Sequence, residues 1–399
     1  MPDPALALNQ MGPSYTLWGS ELSPFYLKVE ACLRASGVAI DYQPQNGGYL
    51  RSFAYQVRVQ ALTAGIKKIT WPNMTALDEL PLVPFMFDKD NRGFYDSTAF
   101  AHWLDQHHGS QLTQHNDPAI DMVSALIDEY ADEFGLYMVH HMRWKFSAGN
   151  NNAGQRLAEE FKGLMGPLSK ILTISFPKRQ VRRLPYLFSV APEGYHQDGL
   201  HQSLQPPHRI GFPETHSLLE TALAKLLKAL ETIFSRRPYL FGNKFTLADA
   251  SLYGQLGMNL TDSAAAIYMK NTAPNTFNWL SKIRKGEFSE HAESKLDASL
   301  ALHDDLKPLL MEIQRSFIPL MQQNESAYES CLKKGETVFN EKAFNQGRAL
   351  YKGSIDGKPF KTAVKSFQVT VWRKLKRQWN ALESSDKTQL HAFNVRFEP

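Results

Sequence analysis

Apolar and polar positions near the start of the chain predict a strand that leads directly into a helix. The segment Tyr15 to Trp18 has the length and composition of a short buried strand. Ser23 is a favourable helix cap, Pro24 suits the first helical position, and Gly37 supplies the stop. Apolar residues recur between them at four-residue spacing on one face: Phe25, Val29 and Leu33.

The next stretch continues as an alternation of strands, loop and helix. Residues 38–43 alternate between apolar and polar, as in a half-buried strand. Residues 44–80 show no sustained period and predict a long irregular loop, with room for a short helix around residues 54–64. Loops of this length inside compact domains are often functional. Residues 80–108 then predict a strand, a polar turn, a second strand and a helix.

From residue 117 onward the pattern is helical. Pro118 opens a long predicted helix that reaches about residue 146, and residues 155–172 predict a second helix. Residues 175–214 are rich in proline, arginine and histidine and predict an irregular loop. Residues 216–234 form a clean amphipathic helix.

Residues 290–399 add further helices around a turn-rich link at Asp356-Gly357 that has the composition of a hairpin. Four basic residues lie between Trp372 and Trp379: Arg373, Lys374, Lys376 and Arg377. This group either binds an anionic partner or forms a solvated helix face beside two packed tryptophans, and the second interpretation is preferred.

Length, charge and cysteine content narrow the class of protein. A chain of 399 residues with 43% hydrophobic residues predicts two or three globular domains. A net charge of +4 is too small to indicate nucleic-acid binding by itself. The two cysteines, Cys32 and Cys331, argue against a disulfide framework or a dithiol redox centre, and Cys32 falls beside the apolar face of a helix. Without a segment of membrane-span or signal-peptide length, we expect a cytoplasmic protein with no nucleic-acid and no membrane partner.

Three short motifs carry candidate chemistry. Ser23 places a hydroxyl at a helix N-terminus, where unpaired N–H groups and a partial positive charge favour a thiolate, or it is only a cap. Val83-Pro84 precedes a strand and is either a cis-proline turn or an ordinary edge proline. Asp96-Ser97 opens a helix and either binds a ligand's ammonium and carboxylate or only caps that helix.

The segment W-G-S-E-L-S-P-F-Y-L-K-V resembles the active-site turn of a glutathione transferase, most closely the serine-type (tau-like) variant. The resemblance implies that Ser23 hydrogen-bonds the sulfur of bound glutathione and stabilises its thiolate. It implies that Val83 and Pro84 hold the cysteinyl unit, and that Asp96 and Ser97 bind the γ-glutamyl end.

The family resemblance also assigns a role to the loop at residues 44–80, since the corresponding segment helps to hold the glycyl end of glutathione. Lys67 and Lys68 are the candidates for that contact. A homodimer is implied in the same way, because members of the family usually dimerise.

A second match covers residues 238–250, P-Y-L-F-G-N-K-F-T-L-A-D-A, which resembles the C-terminal-domain signature of the same family. Thr246 and Asp249 form a capping box there and are structural rather than catalytic in that signature. The predicted fold is a thioredoxin-like α/β domain followed by an all-α glutathione-transferase-type domain. The predicted parts are residues 1–110, residues 111–289 and a mostly helical extension at residues 290–399 packed on the helical domain.

The long helix opened by Pro118 is expected to face the active-site turn. The resemblance therefore implies an electrophile site along it, at Tyr130, Phe134, His141 and Trp144. Three acidic residues share roughly one face of the same helix: Glu129, Asp132 and Glu133. They form either a buried or interface ion-pair network or part of the electrophile site, and their spacing lacks convincing geometry for a metal, so we expect none.

These observations predict a glutathione transferase-like enzyme that uses glutathione as co-substrate and activates its thiolate for attack on an electrophilic small molecule. The alternative is a non-catalytic binding or scaffold protein of the same fold, in which the loop or the tail fills the cleft or covers the dimer face. Thiol–disulfide exchange is disfavoured, because Ser23 stands where a cysteine would be needed.

Overall fold

The structure is a computed structural model that describes residues 14–69, 83–288 and 300–397. The N-terminal part contains β1 (Tyr15–Trp18), α1 (Pro24–Ala35), β2 (Ile40–Gln43), α2 (Tyr49–Thr63), β3 (Phe85–Asp88), β4 (Gly93–Phe94) and α3 (Ser97–His108). The middle part contains α4 (Pro118–Tyr130), α5 (Leu136–His141), α6 (Ala153–Glu160), α7 (Lys162–Met165), α8 (Leu172–Arg182), α9 (His216–Phe234), α10 (Leu247–Gly257), α11 (Ser263–Thr272) and α12 (Pro274–Lys285). The C-terminal part contains α13 (Lys307–Lys333), α14 (Glu341–Asn345), β5 (Leu350–Ile355), β6 (Lys358–Ala363), α15 (Ser366–Ala381) and α16 (Ser384–Ala392).

The first four strands form one mixed sheet in the order β2-β1-β3-β4. Strands β1 and β2 are parallel, whereas β3 is antiparallel to both β1 and β4. The register pairs Trp18 with Gln43 and with Phe85. The ends of β1, β2 and β4 and the start of β3 therefore meet at one edge of the sheet, which we call the site edge. The fold confirms the predicted thioredoxin-like domain followed by a helical domain.

Helix α1 joins the two domains through close backbone packing on α10. Gly254 makes this possible, because a Cβ atom there would lie 2.6 Å from the Pro24 carbonyl oxygen. Cys32 is buried in the core, as its position beside the apolar face predicted. Thr246 and Asp249 form the expected capping box, and the Asp249 carboxylate also accepts the Leu240 N–H at 2.9 Å. Their structural interpretation is confirmed.

Two predicted irregular regions contain helices. Within residues 44–80, α2 is longer and starts earlier than the short helix that the sequence allowed, and residues 70–80 lie outside the described residues. Within residues 175–214, the first fifth belongs to α8, which carries Pro177 inside it. Composition suggested loops here because glycine and proline discourage helices locally, while packing against the rest of the chain decided otherwise.

The extension at residues 300–397 packs on the helical domain, and its hairpin turns at Asp356-Gly357 as predicted. Helix α13 lies against α9 and α4, and α15 and α16 lie against α4. Trp372 and Trp379 are buried and both stack on Phe397, with ring centroids 5.0 and 5.1 Å apart. The tryptophans are core residues, while neighbouring cations form ion pairs with Glu325 on α13.

Candidate functional site

Ser23 lies at the site edge, where α1 begins. Its backbone is extended (φ −91°, ψ 126°) and its hydroxyl accepts the Tyr26 N–H at 3.4 Å, so it caps α1 as predicted. The same hydroxyl lies 3.4 Å from the Val83 carbonyl oxygen, to which it can donate. Ser23 and Val83 are both half-buried, so neither is sealed in the core.

The second motif lies directly beside Ser23. The Val83-Pro84 peptide bond is cis, as the sequence predicted, and β3 begins at the next residue. A second cis bond, Gln43-Pro44, follows β2 at the same edge and was not predicted. The backbone groups of Val83 therefore lie at the surface that also carries the Ser23 hydroxyl.

The third motif completes the edge. Asp96 has a φ of 76°, which is uncommon for a residue other than glycine, and its carboxylate accepts the Ala99 N–H at 2.7 Å. Burial raises the pKa of this carboxyl group, while the hydrogen bond from Ala99 opposes the shift. Ser97 is the first residue of α3 and is buried. The three motifs are thus adjacent in space although 60 to 74 positions separate Ser23 from the other two.

A buried ion-pair network lies beneath these motifs and was only partly predicted. The Lys28 ammonium lies 2.6 Å from both Asp128 and Asp132 and donates to the Thr98 hydroxyl at 2.7 Å. The two carboxylates outweigh burial and hold the pKa of Lys28 above its usual value. For Asp132, the ion-pair interpretation of the acidic group is therefore correct. The network ties α1 and α3 to the long helix of the second domain.

The other two acidic residues of that group lie close to the extension. Burial raises the pKa of Glu129 well above its usual value and that of Glu133 to about 8. Lys374 on α15 lies within electrostatic range of both Asp96 and Glu129 and partly opposes these shifts. Sequence reasoning had placed Lys374 only on a solvated face, because no local pattern links residue 374 to residue 96.

Arg143 holds the turn that precedes Ser23. Its guanidinium is buried, pairs with Asp262 at 2.8 Å and donates to the Leu22 carbonyl at 2.8 Å. A third bond reaches the Met258 carbonyl at 2.5 Å. The arginine therefore fixes the turn before Ser23 to the helical domain. The sequence offered only a basic residue on a long helix and did not reveal this role.

The segment of α6 and α7 covers part of the site edge. Phe161 packs edge-on against Trp18, with ring centroids 6.3 Å apart. The Glu160 carboxyl group lies close to Ser20 and Glu21, while its Oε2 is buried without a hydrogen-bond partner among the described residues. Burial raises the pKa of Glu160 to about 7. An ionisable group thus lies beside the turn that precedes Ser23.

The four residues expected to line an electrophile site are all buried: Tyr130, Phe134, His141 and Trp144. Tyr130 packs against Phe317 of α13, and Phe134 packs against Phe188 of the loop after α8. This burial does not support an open cleft at these side chains, because Phe317 and Phe188 cover Tyr130 and Phe134. Their assignment to an electrophile site stays a prediction.

Lys67 and Lys68 lie at the opposite edge of the sheet from Ser23. Helix α2 starts near the end of β2 and runs to the far edge, so residues after it emerge there. Both lysines line a cavity of about 240 Å³ together with Arg92 and Gly93 of the β3–β4 turn. This position, at the far end of α2, does not support a contact with the glycyl end of glutathione, and that contact stays a prediction.

The described residues lack two further features. Residues 14–69, 83–288 and 300–397 contain no helix that is long and apolar enough to cross a membrane. The same ranges contain no group of three or more histidine, cysteine or acidic side chains placed to hold a metal ion.

Comparisons with known families agree with the order of the two domains. A family model described as "Glutathione S-transferase, N-terminal domain" matches residues 17–112, and one described as "Glutathione S-transferase, C-terminal domain" matches residues 213–258. In these two parts the chain is similar to the two domains of the glutathione S-transferase family, in the family's order. The first match contains all three motifs of the site edge, and the second contains the capping box of α10.

Solved structures that are similar to this chain have low sequence identity to it. The beta-etherase LigF from Sphingobium sp. strain SYK-6 is 16% identical with a TM-score of 0.40, over 70% of this chain and 100% of that chain. A glutathione S-transferase from Rhodospirillum rubrum F11 is 14% identical with a TM-score of 0.36, over 72% and 96%. Glutathione S-transferase-I bound with lactoylglutathione is 13% identical with a TM-score of 0.37, over 69% and 98%. Among proteins with curated functions, none matches the sequence significantly.

Proposed function

We propose that the protein is a glutathione transferase-like enzyme that binds glutathione along the site edge and activates its thiol for attack on an electrophilic small molecule. The observation that carries the proposal is the adjacency of Ser23, Val83 and the Asp96-Ser97 start of α3 at one edge of the sheet. The matches to both glutathione S-transferase domain models support the choice of ligand.

Each motif has a chemical role in this proposal. The N-terminus of α1 offers N–H groups and a partial positive charge, and the Ser23 hydroxyl donates to the sulfur, so the thiolate is favoured over the thiol. The N–H and C=O of Val83 pair with the backbone of the bound tripeptide. The N-terminus of α3 with Ser97 receives the γ-glutamyl carboxylate, and Asp96 faces its ammonium.

The supporting elements make the site rigid. Arg143 fixes the carbonyl of Leu22, and the Lys28 network fixes α1 and α3 to the second domain. A site held in this way loses little conformational entropy when a ligand binds.

Burial of the expected electrophile side chains favours a second candidate, a glutathione-binding protein without transferase activity. Phe161 packs on Trp18 beside the site edge, and Phe317 of the extension packs on Tyr130 of the long helix. In this second candidate the glutathione site is retained while no electrophile is admitted. Glutathione binding with no turnover in a broad electrophile screen would favour it.

The test is calorimetric titration of the full chain and of the Ser97→Ala variant with glutathione. We expect the variant to weaken binding at least about tenfold, because a charge-assisted hydrogen bond contributes about 1.5–3 kcal/mol. Ser263→Ala is the matched control, because Ser263 is also the first residue of a helix, α11, but is exposed and remote. No heat of binding at millimolar glutathione, with a normal thermal melt, would refute the proposal.

A further inference from the structure

Helix α2 exposes a row of large apolar side chains on the side away from the sheet. Leu50, Phe53 and Val57 are spaced by three and four residues and are 81%, 50% and 48% exposed. Tyr49 stacks on Phe53, with ring centroids 6.0 Å apart. The opposite face of the helix packs on the sheet through Tyr55, Val59 and Leu62. Soluble monomers seldom expose apolar rows of this kind without a partner.

The segment from α7 to α8 meets α2 near its start and carries a similar row. Leu168, Ile171 and Ile174 are 64%, 60% and 62% exposed. The two backbones are in close contact, since a Cβ atom on Gly163 would lie 2.7 Å from the Gly47 carbonyl oxygen. Residues 49–69 and 161–183 together are called the basic apolar surface.

The charge of this surface is entirely of one sign. Residues 49–69 contain four lysines and arginines, residues 161–183 contain six, and neither segment contains an aspartate or glutamate. Arg51 and Arg183 pair at 2.8 Å with Asp41 and Glu341 from elsewhere in the chain. Without these ten cations, a chain of 44 basic and 40 acidic residues would be net negative. The positive charge of the protein is therefore concentrated here.

A cavity of about 240 Å³ lies at the far end of α2, beside the exposed Ile66. Its walls include Arg58, Lys67 and Lys68, and its lining includes the apolar side chain of Phe87. Arg92 also lines it but is paired with Asp88 at 2.6 Å. The cavity combines cations with an apolar wall and has room for a phosphate-sized group.

We propose that the basic apolar surface docks the protein on an anionic lipid bilayer, with the apolar rows in the acyl boundary and the lysines and arginines among the lipid phosphates. At a bilayer surface the acyl chains lie directly beneath the lipid phosphates. Aliphatic side chains can therefore insert while the flanking cations contact the phosphates. A second copy of the chain is a poorer partner, because a two-fold interface would bring like charges together. Nucleic acid binds best by stacking its bases on aromatic rings, whereas the exposed apolar side chains here are mostly aliphatic, with Tyr49 and Phe53 as the exceptions. Such peripheral binding needs no membrane-spanning helix, and it departs from the sequence-based expectation of no membrane partner.

The experiment is co-sedimentation of the full chain with phosphatidylcholine vesicles, with and without phosphatidylglycerol, at low and high salt. We expect binding to the anionic vesicles alone, weakened by salt. The Leu50→Ser/Phe53→Ser variant should lose at least about tenfold in partitioning, because two large apolar side chains no longer insert. Lys67→Glu/Lys68→Glu should lose a similar factor, since reversal of two charges lowers the net charge of the surface by four units. Ile267→Ser is the matched control, because Ile267 on α11 is 60% exposed outside the surface.

Four results would overturn the proposal. Equal binding to neutral and anionic vesicles would remove the electrostatic part, and no binding to either would remove the whole. A dimer in light scattering that the Leu50→Ser/Phe53→Ser variant abolishes would assign the surface to a second copy. A large drop in the melting temperature of that variant would show that another segment of the chain, such as residues 70–82, covers the row. None of these readouts depends on glutathione.

Discussion

At the scale of single residues, Ser23 combines two functions that can be separated by experiment. It caps α1 through the Tyr26 N–H and also offers its hydroxyl beside the Val83 carbonyl. A cap contributes about 1 kcal/mol to stability, whereas a hydrogen bond to a developing anion changes the rate of a reaction.

Ser23→Ala is expected to lower turnover with a reactive aryl electrophile by about a hundredfold while glutathione affinity changes little. The reason is that the hydroxyl stabilises the thiolate more than the thiol, so its loss appears in kcat. Steady-state kinetics and calorimetry on the same preparation measure the two effects. Ser36→Ala, at the other end of α1, is the control. Unchanged turnover in Ser23→Ala would leave the serine as a cap only.

Glu160 predicts a pH dependence of stability. Its folded-state pKa of about 7 exceeds the value of about 4.3 in an unfolded chain, so the folded protein retains the proton longer. The stability contribution is present below about pH 4.3 and is lost as pH rises through about 7. Glu21 strengthens and Arg156 opposes this shift.

Glu160→Gln should therefore raise the melting temperature relative to the native chain progressively between about pH 4.5 and about pH 7, and by a constant amount above it. The gain at pH 8 is at most about 4 kcal/mol. Thermal melts across that pH range give the measurement. Glu159→Gln is the control, because the Glu159 side chain is 75% exposed. A pH-independent difference would contradict the assignment.

At this scale, the sequence predicts the residues whose chemical role has a local signal. The three motifs at Ser23, Val83 and Asp96 could be found because each has a local signal and all three occur in a known order. Lys67 and Arg143 could not be assigned, because their positions depend on helix lengths and packing angles that no local pattern encodes.

At the scale of elements, the contact between α1 and α10 positions the site. Gly254 lets the two helices approach until backbone meets backbone, and the carbonyl that it faces belongs to Pro24, the residue after Ser23. A change in this spacing would shift the start of α1, and with it the hydroxyl and the N–H groups of the site.

Gly254→Ala is expected to destabilise the chain by about 1–3 kcal/mol and to weaken glutathione binding, because the added methyl group pushes α1 away. Chemical denaturation and calorimetry measure the two effects. Gly149→Ala is the matched control, since nothing lies within 4 Å of a Cβ atom at that turn position. A stable Gly254→Ala variant with normal glutathione affinity would show that the two helices separate without consequence.

Elements with strong periodicity were predicted with the right type and nearly the right bounds, as for α9 at residues 216–234 and the hairpin at Asp356-Gly357. Helices α2 and α8 were missed or shortened. Their exposed apolar rows at Leu50 and Ile171 blur the amphipathic pattern that identifies a helix, and Pro177 interrupts it further.

At the scale of the whole molecule, the extension and the helical domain share one core. Leu309, Ile313 and Phe317 of α13 are fully buried, and Trp372 and Trp379 of α15 are buried beside them. At about 1.5–3 kcal/mol for each large apolar side chain, these five alone rival the 5–15 kcal/mol that holds a typical domain together.

A chain that ends at residue 288 is therefore expected to be unable to fold. Circular dichroism and thermal melting of the truncated chain should show no cooperative transition, and co-expression of residues 300–399 as a separate fragment should restore one. Removal of residues 398–399 alone is the control. A truncated chain that melts cooperatively would show that the extension is an accessory, and a gain in glutathione affinity would then favour the binding-protein candidate.

The stacking of Trp372 and Trp379 on Phe397 also determines when this part of the core can form during synthesis. Helix α4 leaves the ribosome early, yet the side chains that cover it follow by more than 240 residues. At about 5–20 residues per second, the ribosome needs roughly 12 to 50 seconds to supply them. Throughout that interval the face of α4 that α15 covers stays exposed on the nascent chain, so a chaperone that shields this face would raise the yield of folded protein.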